Sequence, residues 1–301
     1  MNKEFDTLVS VVMSVYNGEK HLKESIESVL GQTFSNFEFI IVDDGSNDNS
    51  PQILERYRKK DSRIRIIHQE NIGLTKSLNK AINLVQGEYI ARQDVDDISL
   101  AERLEKQLNI FFKKPQTDLV ASWYYIIEDK GEIIIERKLP NLKTVKRLLP
   151  FENLICHASV TFKKSTFFEL EGYDEKLKYG QDKYMWMKMK NIEIIPEPLI
   201  KYRWHIGNIT HARFKEKMKI EDYDYFLNER IICYFSSLLI QQGELKKARG
   251  LLKTHLRNPR HLFYYMLTFL PSWIIDIYMW RVRYSAKMIL GLIFPYYRVI
   301  K

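Results

Sequence analysis

Four short apolar runs, at residues 8–15, 37–42, 64–67 and 89–93, are separated by stretches in which apolar residues recur at helical spacing. Runs this short and this rich in Val and Ile read as buried strands, and strands alternating with helices of this length build βαβ units on a mostly parallel sheet. In the first helical stretch Leu22, Ile26, Val29 and Leu30 share one face. The second opens on Ser50 with Pro51 in its first turn, and the third carries Leu74, Leu78, Ile82 and Val85. The expected fold is α/β and Rossmann-like, a mostly parallel sheet with helices on both faces.

The residues just beyond the strands narrow the chemistry. Tyr16-Asn17-Gly18 follows the first strand, Asp43-Asp44-Gly45-Ser46 the second, and Asp94-Val95-Asp96-Asp97 the fourth. In a parallel sheet these exits share one edge, where open α/β folds bind ligands. Three carboxylates within four residues repel one another unless a cation joins them, and a hard divalent ion that takes oxygen ligands suits the set. The same acids also read as a solvated turn capping a helix at 100–112. No Gly-x-Gly-x-x-Gly follows the first strand and no Gly-Lys-Ser/Thr loop is present, which counts against a dinucleotide dehydrogenase and a P-loop enzyme.

The run 11–17, the Asp43-Asp44-Gly45-Ser46 turn, Asn71-Ile72-Gly73-Leu74 with Asn79, and the 94–97 acids together resemble the GT-A glycosyltransferases of family 2. The likeness continues through His157-Ala158-Ser159-Val160, Gly172-Tyr173-Asp174-Glu175 and Gln181-Asp182 before Trp186. It implies a GT-A catalytic domain at 1–211, with a nucleotide-binding half at 1–98 and an acceptor half at 99–211. It places Tyr16 against a nucleobase, Asp44 in a hydrogen bond to that base, and Ser14, Asn17 and Lys76 around the nucleotide sugar. Asp94 and Asp96 would touch the ribose and, with His205, hold Mg²⁺ or Mn²⁺ on the pyrophosphate, with Asp97 in support. On the acceptor side fall His157, Asp97, Gln181 and Arg203, and Arg203 could also serve the diphosphate; a partly buried interface pair is the competing account of Arg203 and His205. Asp182 stands where inverting members keep their general base. The family normally has Glu before that Asp, so Gln181 removes one neighbour that could tune it. Read without the resemblance, Asp182 is a helix cap and His157 a structural histidine.

Between these motifs the pattern changes. Residues 119–127 and 133–137 form a hairpin around Asp129-Lys130-Gly131, 142–149 a short helix, 158–162 a strand, and 183–189 a helix with Met185, Trp186 and Met189 inward. Two further strands, 192–198 and 199–204, close the domain.

Composition matters most in the last fifth. From 243 to 301 eleven Lys and Arg face only Glu244 and Asp276, so the whole net charge of +9 sits there. This expected helical extension, 212–301, holds one helix pair like a lone tetratricopeptide unit and a nearly apolar stretch at 262–280 broken by Pro271 and Asp276. Basic residues beside Trp and Tyr suit an anionic membrane surface better than nucleic acid, which leaves the apolar runs unexplained. The competing account packs 262–294 on the catalytic domain. Cys156 and Cys233 fit neither a disulfide framework nor zinc spacing, and residues 1–8 lack an apolar export signal, so a cytoplasmic protein, peripheral on the inner face of the membrane, is expected.

The expected activity is metal-dependent, inverting transfer of a sugar from a UDP-sugar to a saccharide or lipid-linked saccharide in cell-surface polysaccharide synthesis. A sugar nucleotidyltransferase and a non-catalytic sugar-nucleotide-binding subunit are the rivals. The donor sugar, acceptor, linkage and oligomeric state are not legible in the chain.

Overall fold

The computed structural model describes residues 8–150, 153–177 and 179–205, and beyond them helical residues Arg249 and Lys253 and the strand Tyr297–Val299. The chain divides into two compact units, Met1–Trp204 and His205–Lys301. The second opens a few residues ahead of the expected 211/212 border, and apart from Arg249 and Lys253 the helical hairpin expected there, like the apolar stretches, lies outside the described residues.

The first unit runs β1 (Val9–Val15), α1 (Glu19–Leu30), β2 (Phe37–Asp44), α2 (Ser50–Arg58), β3 (Ile64–Gln69), α3 (Leu74–Ile82), β4 (Tyr89–Arg92), β5 (Ile98–Ser99) and α4 (Arg103–Lys113). It continues through β6 (Leu119–Ile127), β7 (Ile133–Arg137), α5 (Leu142–Leu148), β8 (Thr161–Lys163), α6 (Lys164–Glu169), α7 (Gln181–Lys188) and β9 (Ile192–Arg203). Every residue of β1 is buried, as a strand covered on both faces requires. Helix α1 buries Leu22, Ile26 and Val29, the stripe that its spacing indicates, against a core that includes Val11, Phe39 and Leu104. Each such side chain contributes roughly 1.5–3 kcal/mol through burial.

Strands β3, β2, β1 and β4 lie side by side in that order and parallel. The chain winds outward from β1 to β3 and then returns to the other side of β1, so the direction reverses between β1 and β4. The crevice beyond the carboxyl ends of those two strands is where sheets of this kind take ligands. Val12 pairs with Arg92 across it, which brings Ser14 and Asp94 to the same level. The far half is mixed: β8 lies antiparallel to β4 and β6, β7 antiparallel to β6, and β9 parallel to β6.

Some elements differ from expectation. The strand at 158–162 is preceded by a 3₁₀ turn, His157–Ser159, and starts only at Thr161, because Ala158 and Ser159 bury themselves through the turn. The expected pair of strands at 192–204 is one strand, β9, whose register slips beside Ser122 and Trp123 where Pro196 and Pro198 withdraw donors from the ladder. The short β5, invisible to periodicity, pairs Ile98 with Lys201 and Ser99 with Ile200, and so fastens the acidic loop to β9.

Candidate active site

The nucleotide side is built by lacing the β1–α1 turn to the β2–α2 loop. Asn17 sits at φ 51°, a left-handed conformation that Asn tolerates. Its backbone N–H donates to Ser46 Oγ at 3.0 Å, and its side-chain oxygen accepts from Asn47 N–H at 2.8 Å. Gly18 N–H donates to Ser50 Oγ, and Glu19 accepts from the backbone and amide of Asn49. A side chain at Gly18 would bring its Cβ within 2.4 Å of Val95 Cγ2, so the glycine lets α1 approach the acidic loop. These ties present Tyr16, 51 % exposed, at the crevice mouth.

The two acids ending β2 face inward. Asp43 accepts Ser46 N–H at 3.1 Å and lies 2.9 Å from His68 Nδ1. Asp44, given to the base by resemblance, accepts from the Gln69 amide at 2.8 Å and from the backbone of Ile72 and Gly73 at 2.9 Å each. Its visible service is to pull the 70–73 segment onto β2. Ser14 is buried in β1, and Lys76 stands exposed in the first turn of α3.

Beyond β4 the acids occupy three environments. Asp94 is 29 % exposed and takes a 2.5 Å contact from the guanidinium of Arg92, itself buried. Enclosure raises its pKa and the charge of Asp96 adds to that, against the pull of Arg92. Asp96 is half-buried, and its backbone oxygen accepts from Arg203 Nε at 2.9 Å. Asp97 is 0 % exposed: Oδ1 accepts Arg203 N–H at 2.8 Å, while Oδ2 is a buried acceptor with no hydrogen-bond partner among the described residues. Burial, then the charges of Asp96 and Asp94, push its carboxyl well above the usual range.

Two of the residues expected on the acceptor side are buried. Asp97 lies inside the fold, where the backbone of β9 meets it. Arg203 is 1 % exposed, and its guanidinium reaches the carbonyls of Asp96, Glu128 and Asp129 and the carboxylate of Glu24. It braces the acidic loop, the β6–β7 turn and α1. The physical reason is the register of β9, which turns Arg203 inward beneath the loop.

On the other side Asp182 sits in the first turn of α7, after Gly180 in the left-handed region. It is half-buried, and Asn153 Nδ2 donates to its Oδ2 at 2.5 Å. Burial raises its pKa, two backbone N–H groups and Asn153 oppose the rise, and the charge of Asp94 adds to it. The charge of Asp94 thus reaches Asp182. Gln181 is buried next to it. His157 Nε2 lies 2.9 Å from the Tyr173 hydroxyl, and its ring meets Tyr173 and Trp186 edge-on. Burial, aided by the charge of Arg92, holds this imidazole well below its ordinary pKa and therefore neutral. His205 follows β9 as the first residue of the second unit.

Several contributors went unread in the sequence. Buried Arg103 donates to the carbonyls of Arg92 and Val160, to Ser99 and to Gln93, and enclosure lowers its pKa to about 9. Gln93 carries its amide to Ser25 Oγ and the carbonyls of Asp94 and Asp97. Polar Arg92-Gln93 closing an apolar strand was the available signal. Asn153 and His68 gave none beyond their residue types, and Tyr173 stood within a quoted motif without a role assigned to it.

Comparison with known proteins agrees with this geometry. The profile of Glycosyl transferase family 2 matches residues 10–168. An uncharacterized glycosyltransferase of Methanocaldococcus jannaschii is 36 % identical over 291 residues, covering 94 % of this chain and 87 % of its own. The O-antigen biosynthesis glycosyltransferase WbnJ of Escherichia coli is 32 % identical over 241 residues, 77 % of this chain and 94 % of its own. Among solved structures, S. aureus TarS 1-349 in complex with UDP-GlcNAc superposes with a TM-score of 0.55 at 20 % identity, covering 86 % of this chain and 90 % of that one. That likeness shows the α/β GT-A fold.

Proposed function

Because the chain belongs to glycosyl transferase family 2, we propose that this glycosyltransferase moves a sugar from a UDP-sugar, with inversion, to a saccharide or lipid-linked saccharide of a cell-surface polysaccharide. One observation carries the reading: Asp182, in the first turn of α7, is near enough to Asp94 after β4 for the charge of Asp94 to help raise its pKa. The UDP-GlcNAc complex of TarS and the O-antigen role in the name of WbnJ support the donor and product classes.

Tyr16, held exposed by the laced loops, stacks on the uracil, and Asp94 and Asp96 face the ribose and diphosphate. The half-buried carboxylate of Asp182 is a stronger base than an ordinary one. It takes the proton of the acceptor hydroxyl as that oxygen bonds to the anomeric carbon, while the bond to the diphosphate breaks on the opposite face. The crevice contributes by fixing both substrates at the attack geometry.

The acids fit a divalent cation on the donor side. Asp94 and Asp96 offer oxygen ligands, their negative charges help push the buried Asp97 carboxyl above its usual range, and Asp97 Oδ2 is a buried acceptor without a partner among the described residues. Among the described residues no group of three or more His, Cys, Asp or Glu is placed to hold a metal ion, so a cation would rest on Asp94 and Asp96 together with the diphosphate oxygens and water. When bound, Mg²⁺ or Mn²⁺ supplies positive charge against the leaving diphosphate. Asp96→Asn is expected to abolish the manganese-dependent part of UDP binding, and titration calorimetry showing that part intact would refute the assignment.

Among the described residues no helix is long and apolar enough to cross a membrane. The basic, aromatic composition of 243–301 supports a peripheral contact with anionic lipid. Flotation with phosphatidylglycerol vesicles tests it: truncated and full-length proteins that partition alike would remove the arm from this role.

For the reaction itself, the test is product formation from a panel of UDP-sugars with wild type and Asp182→Asn. The variant should bind UDP normally and lose transfer; equal transfer would end the assignment.

A further inference from the structure

His68, at the end of β3, lies between two carboxylates contributed by different elements. Its Nδ1 is 2.9 Å from Asp43 Oδ2 at the end of β2, and its Nε2 is 3.4 Å from Glu55 Oε1 on α2. A neutral imidazole owns one N–H and can serve only one of them, whereas an imidazolium donates to both. Asp43 is buried, so the positive charge also matters as its counter-ion; Glu55 has Arg58 as a second partner through Oε2, at 2.8 Å. Those are the charged groups facing the ring: Asp43 from β2, and Glu55, backed by Arg58, from α2. Burial alone would lower the pKa of His68, but the hydrogen bonds to Asp43 and Glu55 outweigh it and the net shift is upward.

Asp43 is not an isolated acceptor. Its other oxygen takes Ser46 N–H at 3.1 Å, Ser46 Oγ takes Asn17 N–H at 3.0 Å, and Asn17 adjoins Tyr16 at the crevice mouth. A chain of hydrogen bonds therefore runs from the partly exposed imidazole on the outer strand to the turn that presents the aromatic ring. Charge-assisted bonds are roughly twice as strong as neutral ones, so the first link is firmest when His68 is protonated.

We propose that His68 is a positioning residue for the donor: as an imidazolium it holds Asp43, and through Ser46 and Asn17 the Tyr16 turn, so that a uridine nucleotide binds more tightly to the protonated protein. The inference rests on the nucleotide reading above and adds a proton linkage to it. If the bound form favours the imidazolium, affinity falls as pH rises through the His68 titration.

The probes are uridine, which carries no ionisable phosphate, and UDP with constant manganese, each titrated against the full chain between pH 5.5 and 8.5. Wild type should lose about three- to tenfold in uridine affinity over that range, the change expected if binding displaces the His68 titration by up to about one pH unit. His68→Gln should give a flat profile with uridine. Proton NMR of the wild-type imidazole supplies a measurement that needs no variant: its titration midpoint should move upward on adding uridine. A midpoint that stays fixed, or wild-type and variant profiles that run parallel, overturns the positioning role while leaving the donor assignment intact. Absence of binding by either probe at every pH overturns the donor assignment and this inference with it.

Discussion

Arg203→Met separates two accounts of one arginine. The resemblance makes it a partner of the diphosphate, whereas its bonds make it a brace under the acids. Methionine preserves the length of the stem and removes the charge and all donors of the guanidinium. Three carbonyl partners lose a donor: Asp129 O at 2.7 Å, Asp96 O at 2.9 Å and, more weakly, Glu128 O at 3.3 Å. Glu24 is more than half exposed and re-solvates, so it adds nothing measurable. Two good charge-assisted bonds at roughly 1–2 kcal/mol each give a loss of about 2–4 kcal/mol. For a unit of this size the melting temperature then falls by about 4–16 °C. Thermal unfolding reads the stability, and donor KM and kcat below the new melting point read the site. The brace predicts a lower melting point, a higher donor KM from a loosened 94–97 loop, and partial recovery of affinity at lower temperature. A melting point within 1 °C of wild type together with lost transfer would refute the brace and return Arg203 to the substrate.

Other expectations are shorter. Asp182→Asn should lower kcat about 10²–10⁴-fold, the usual worth of a general base, with UDP affinity unchanged by calorimetry. Since its folded pKa is raised and the ionised form is the active one, the acidic limb of kcat/KM should lie above the ordinary carboxylate value of about 4. Asn153→Ala deletes a bond to the ionised form and should move that limb to higher pH; a limb that stays put would detach Asn153 from the base. Gly18→Ala places a methyl 2.4 Å from Val95 Cγ2, and the resulting shift of α1 or the acidic loop should cost about 1–3 kcal/mol of stability and raise donor KM more than it lowers kcat.

The nucleotide half was legible because its signals are local. Strands β1, β2 and β4 are runs of almost wholly buried residues, β3 at the outer edge is a short Ile-rich run, each helix shows one apolar face, and polar residues follow β1, β2 and β4 at the sheet edge. The order 3-2-1-4, which creates the crevice, is a property of pairing and left no mark on any single segment. The acceptor half was less legible for the same reason. Pro196 and Pro198 suggested a break, yet β9 passes through them because β6 keeps pairing on both sides of the slip. How deep Asp97 and Arg203 sit was left open, since an Asp or Arg in a motif gives no clue to its depth. That depth follows from β5 and β9, a two-residue pairing too short to show periodicity.

The two halves of the site depend on a common support that belongs to neither motif. Arg103 donates from one guanidinium to the carbonyl of Arg92, next to the donor acids, and to that of Val160, next to the His157–Ser159 turn. Gln107, one turn along α4, donates to the carbonyls of Val120 and Ser159, and Thr161 donates to its side-chain oxygen. Both are buried, so their bonds compete little with water, and an unmet partner there would cost about 1–3 kcal/mol each. Helix α4 thereby fixes the separation between the strand that carries Asp94 and the segment that leads to His157. Asp182 stands on a different footing: it reaches this frame through Asn153 and the packing of Trp186 against Phe162 and His157. Disturbing α4 should therefore change the donor acids and the His157 turn together, while disturbing Trp186 should change Asp182 and His157 and spare the 94–97 acids.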